Sequence, residues 1–70
     1  MPPESVNRVL WRVSLFATDA VCYFVHADGQ FALRVEHGNE CVLAEMMPDE
    51  ATALLRAEEV RRTLETRLRQ

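Results

Sequence analysis

Lysine and isoleucine are absent from this chain, glycine and cysteine occur twice each, and proline occurs three times. The missing lysine and isoleucine look like the codon bias of a GC-rich genome and carry no functional weight. The two glycines, Gly29 and Gly38, both fall in hairpin positions, which leaves no glycine-rich loop to cradle a phosphate. No apolar run approaches the roughly 18 residues of a membrane span. The opening Met1-Pro2-Pro3-Glu4-Ser5 has neither the basic stretch nor the apolar stretch of a secretory leader. A cytoplasmic setting without a membrane partner is the expectation. Ser5 and Ser14 have no evident base and orienting group nearby, as a nucleophilic serine would need.

What remains is an ordinary globular composition, 49% apolar and 27% charged, over 70 residues. That is one domain of a size that buries only about 60% of its unfolded surface. Disulfides, a metal or oligomerisation commonly support such a small fold. The net charge of −3 is unevenly spread. Through residue 55, Arg8, Arg12 and Arg34 stand against Glu4, Asp19, Asp28, Glu36, Glu40, Glu45, Asp49 and Glu50, a net −5. From Arg56 onward the balance is +2, with Arg56, Arg61, Arg62, Arg67 and Arg69 against Glu58, Glu59 and Glu65.

Hydrophobic residues alternate with period two through four successive runs, the signature of half-buried strands. After a short, mobile lead-in over residues 1–7, strands are expected at 8–17, 21–26, 31–36 and 41–46. Val6, Val9, Leu10 and Val13 also fit helical spacing, but Trp11, Val13 and Leu15 alternate with Arg12 and Ser14, which favours a strand. Asp19 suits a turn over 17–20, and Asp28-Gly29 and Gly38-Asn39 are hairpin turns. In that register His26 pairs with Phe31, Phe24 with Leu33, Cys22 with Val35, Val35 with Val42, and Leu33 with Ala44. Trp11, Val13, Leu15, Cys22, Phe24, Phe31, Leu33, Val35, Val42, Ala44 and Met46 then share one face. Pro48, Asp49 and Glu50 open a helix over 48–69. Its stripe of Ala53, Leu54, Ala57, Val60, Leu64 and Leu68 covers that face. Leu55 and Ala51 lie off the stripe, which suggests a bend near Arg56. At roughly 33 Å against roughly 20 Å for a six-residue strand, the helix overhangs the sheet. The expected fold is α+β, a four-stranded antiparallel meander (8–46) with one C-terminal helix.

Cys22-x3-His26 and His37-x3-Cys41 have the makings of a two-Cys, two-His zinc set. The register places Cys22 and His26 on the covered face, His37 in a turn and Cys41 on the other face, so the four do not converge. The same geometry forbids a Cys22–Cys41 disulfide, and both cysteines read as small apolar fillers of a reduced protein. His26 reads as a polar rim residue. Glu36 and Glu45, with Arg34 between them, read as a charge cluster. No metal, cofactor or small-molecule substrate is implied, and no enzyme is expected.

A three-stranded sheet packed on a C-terminal helix resembles, in topology only, the sheet-reading DNA-binding modules of plant AP2 proteins and integrase amino-terminal arms. The likeness rests on Trp11-Arg12-Val13 and Glu50-Ala51 and spans residues 10–64 loosely. It implies a nucleic-acid-binding regulator using the sheet arginines or the Arg61, Arg62, Arg67 and Arg69 tail. Those modules need a basic reading face, whereas the sheet half here is net −5. The Trp11-Arg12-Val13-x-Leu15-Phe16 opening is also similar to that of small bacterial proteins of unknown function. The uncovered face is more telling: Leu10, Phe16, Val21, Tyr23, Val25, Cys41 and Leu43 mix there with Arg12, Arg34, Glu36 and Glu45. That is more apolar surface than a monomer normally shows. The expected role is a non-catalytic protein-protein interaction module that forms a homodimer or docks on a larger protein. Its interface would be Arg12, Phe16, Val21, Tyr23, Val25, Arg34, Cys41 and Leu43.

Overall fold

The computed structural model describes residues 5–15 and 17–68. Along the chain come β1 (Ser5–Leu15), β2 (Thr18–Ala27), β3 (Gln30–His37), β4 (Glu40–Met47) and α1 (Glu50–Leu68). The strands form one antiparallel sheet in the order β1-β2-β3-β4, with α1 packed on one face. This is the α+β architecture expected from the alternation and the helical segment after Pro48. Phe16 and Arg69 lie outside the described residues, as do residues 1–4 and the side chains of Leu15 and Leu68.

Turn chemistry sets the central hairpin. Asp28 and Gly29 both take positive φ, 53° and 73°, the type I′ geometry whose twist matches its flanking strands. Gly38 alone is positive in the next turn, at 65°, as in a type II′ turn. His26 pairs with Phe31, Phe24 with Leu33 and Cys22 with Val35, as expected. The first reversal comes earlier than Asp19 suggests, because Leu15 pairs with Thr18 and residues 18–20 belong to β2. Asp19 instead faces Arg12 in an ion pair of 3.5 Å. Residues 5–7, expected in the lead-in, extend β1 and pair with Ala27, His26 and Val25.

Two β-bulges correct the expected faces. In β1 the register shifts between Val9 and Trp11, so Arg8 opposes Phe24 while Trp11 opposes Cys22. Leu10 is the extra residue, and it packs against the core rather than on the open face. An inserted residue reverses the alternation on either side of it, which is why this run also fits a helical spacing. In β4 the shift falls between Val35 and Glu36, so Val35 meets Leu43 and Leu33 meets Glu45. Leu43 and Met47 therefore lie under the helix, whereas Val42 is 55% and Met46 64% exposed. The physical gain is visible: two large apolar side chains reach the core, and the inward Glu45 finds a cation. Arg56 donates to both its carboxylate oxygens, at 2.9 and 3.4 Å.

The helix starts at Glu50, two residues later than expected, because Asp49 caps it. The Thr52 amide donates to Asp49 Oδ1 at 2.7 Å, and the Ala53 amide to the Asp49 carbonyl at 3.2 Å. The Thr52 amide, helped by the Thr52 side chain, holds the Asp49 carboxyl below its usual pKa. Ala53 and Ala57 are the helix residues buried in the core, on Cys22, Phe24, Leu33 and Val35. Side chains that small let the helix lie close enough for the Trp11 indole to donate to the Ala57 carbonyl at 3.0 Å. Ion pairs fix both flanks, Arg8 with Glu50 at 3.0 Å and Arg56 with Glu45. The Arg8 guanidinium also sits 5.3 Å from the Phe24 ring centre. Leu54, expected on the packed stripe, is largely exposed, and Leu55 is 71% exposed. The whole is a slab of 45 × 23 × 14 Å. Its thickness holds one sheet and one helix, so no described element covers the second sheet face.

Candidate association surface

Strand pairing arranges the open face in rows across the sheet. One row is Arg12, Val21, Glu36 and Cys41, and the next is Val9, Tyr23, Arg34 and Ala44. A third is Asn7, Val25, Ala32 and Met46. Val21 is only 9% exposed although it lies on this face, beneath the longer side chains that flank it. Tyr23 and Val25 are half-buried, while Arg12, Arg34, Cys41 and Ala44 are exposed. The charges are balanced locally: Arg34 pairs with Glu36 at 2.5 Å and Arg12 with Asp19 at 3.5 Å. A shallow depression of about 210 Å³ lies among Asn7, Tyr23, Val25, Arg34 and Glu36.

Of the residues expected at an interface, Arg12, Val21, Tyr23, Val25, Arg34 and Cys41 share this face. Phe16 lies outside the described residues. Leu43 does not belong there, because the β4 bulge turns it into the core. The same bulge removes Glu45 from the expected cluster with Glu36, since the two now lie on opposite faces. In exchange the face gains Val9, Ala44 and Met46. Their signal in the sequence is indirect: Leu10-Trp11 and Val42-Leu43 each place two large apolar residues side by side in an otherwise alternating run. A doublet is compatible with an inserted residue but does not reveal one, since Val21 to Val25 are apolar throughout and pair without a shift.

The cysteines and histidines are dispersed. Cys22 is fully buried, and burial pushes its thiol up to about 11, far from thiolate reactivity at neutral pH. His26 stacks on Phe31, ring centres 4.5 Å apart, and His37 Nε2 lies 2.5 Å from Thr18 Oγ1. Cys41 is exposed on the other face. Among the described residues, no three His, Cys, Asp or Glu are grouped to hold a metal ion.

Open grooves flank the helix. One, of about 570 Å³, runs beside Val35, His37, Val42, Leu43, Val60 and Leu64. The other, of about 550 Å³, lies among Leu10, Trp11, Ala51, Leu54 and Leu55. Both are mainly apolar. No described helix is long and apolar enough to cross a membrane. In comparisons with known proteins, no family model, no curated protein and no solved structure matches the chain.

Proposed function

We propose that this protein is a small, non-catalytic interaction module of the cytoplasm that self-associates through the open face of its sheet. The observation that supports this is the exposure of Val9 and Met46, with Tyr23 and Val25 between them, on a face no described element covers. Tyrosine and arginine at the centre suit an interface, since both are favoured where binding energy concentrates. A second sheet could pack against this one at about 10 Å. Added burial would also relieve the thin stability margin of a 70-residue chain.

The test is the molar mass in solution by light scattering over a concentration series. The expected result is twice the chain mass of 8.0 kDa, falling toward one chain on replacement of Tyr23 by Asp. A mass of one chain throughout the range overturns self-association. Leu43 is not an informative position for this purpose, because its substitution strikes the core first.

A further inference from the structure

The two central rows of the open face are complementary at their middle positions, Glu36 to Arg34 and Val21 to Tyr23. Arg12, Val21, Glu36 and Cys41 form one row, and Val9, Tyr23, Arg34 and Ala44 form its neighbour. We infer that the occupant of this face is a second copy of the chain, related by a two-fold axis lying across the strands between these rows. The inference rests on self-association through the open face. Such an axis lays each strand over its own mate in the opposite direction. One copy's first row then falls on the other copy's second row, as a self-complementary two-fold contact requires.

The residues pair sensibly in that arrangement. Glu36 meets the partner's Arg34, and Arg34 meets the partner's Glu36. Val21 meets the partner's Tyr23, apolar on aromatic. Arg34 and Glu36 already pair within one chain at 2.5 Å. The two copies therefore build a four-membered ring of alternating charge. Each carboxylate there has two guanidiniums for neighbours, which offsets much of the desolvation that makes a buried ion pair costly. Other placements lose this. Moving the axis onto the Arg34 row sets arginine against arginine, and moving it onto the Glu36 row sets carboxylate against carboxylate. An axis along the strands lays Arg34 on the partner's Tyr23 and Glu36 on the partner's Val21, leaving the carboxylate without a cation opposite.

Charge exchange tests the register. R34E sets a carboxylate against the partner's Glu36, and E36R sets a guanidinium against the partner's Arg34. Each single variant is expected to weaken self-association about 30-fold or more. Mixing the two variants restores opposite charges at both contacts, so a 1:1 heterodimer forms, as native mass spectrometry would read directly. Mixing cannot repair the pair within a chain, so recovery reports contact between copies. The double variant R34E/E36R on one chain keeps its internal pair and is expected to self-associate as the wild type does. The axis is overturned if either single variant dimerises like the wild type, if the mixture stays dissociated, or if the double variant is monomeric. Tyr23→Asp separates the levels. If it dissociates the wild-type dimer while the mixture fails, the face is used in another register. If the dimer survives Tyr23→Asp, the face itself is wrong, and the axis fails with it.

Discussion

Cys22 and Cys41 show how one residue type takes two chemistries from its surroundings. Cys22 has no solvent exposure and is packed among Phe24, Leu33, Val35 and two helix alanines, whereas Cys41 is exposed. At pH 8 a thiol reagent should modify Cys41 in the dissociated Tyr23→Asp protein, where no second copy covers it, and reach Cys22 only after denaturant is added. Equal labelling rates would mean that the helix does not seal this part of the sheet. The same burial has a consequence for stability. In the unfolded chain Cys22 ionises near its ordinary value of 9.0, while in the fold it holds its proton up to about 11. The unfolded state therefore binds fewer protons between those values, and stability falls as pH rises through that interval. Denaturation at pH 8.5 and 10.5 should show this decline in the wild type and a smaller one in Cys22→Ala. Equal declines would remove Cys22 as its source.

At the scale of elements, the bulges decide which side chains each edge strand buries. Val42 and Leu43 are neighbours with opposite fates: Val42 is 55% exposed, while Leu43 packs against the core. Leu43→Ala should cost about 2 kcal/mol, and Val42→Ala no more than about 0.5 kcal/mol, both read by denaturant unfolding. The reverse order would restore the unbulged register in which Val42 faces inward. The helix gives a second test, because its contact with the sheet is made by alanines. Ala57→Leu should overpack and destabilise by about 1–3 kcal/mol. It should also shift Trp11 fluorescence to the red as the indole leaves the helix carbonyl. A variant with native stability and emission would show room beneath the helix that the packing denies. Much of this was legible in the residues. Asp28-Gly29 and the period-two pattern specify the β2–β3 hairpin down to its pairs, and Pro48-Asp49-Glu50 announces the helix. The bulges were not, since alternation read strand by strand assumes an unbroken ladder. Only the tertiary contact from Arg56 to Glu45 makes an inward carboxylate acceptable, and that contact joins residues from different elements. The open face was legible in Tyr23, Val25 and Arg34, and was mistaken in Leu43 for the same reason.

For the molecule as a whole, the decisive quantity is thickness. A slab 14 Å thin buries one face of its sheet and leaves the other to solvent, so its core is a single layer of contacts between sheet and helix. Association that buries the second face is then linked to folding, since a ligand bound only by the native state stabilises it by mass action. If dimer formation accompanies folding, each tenfold rise in protein concentration adds about 1.4 kcal/mol to the apparent stability per dimer. The thermal midpoint should rise over a concentration series from micromolar to millimolar in the wild type. Tyr23→Asp should flatten that dependence and leave a midpoint close to the wild-type value at the lowest concentration, since Tyr23 lies on the open face and outside the core. A wild-type midpoint independent of concentration, with a monomeric mass, would mean that one layer of packing suffices for this fold and that its open face serves no second copy.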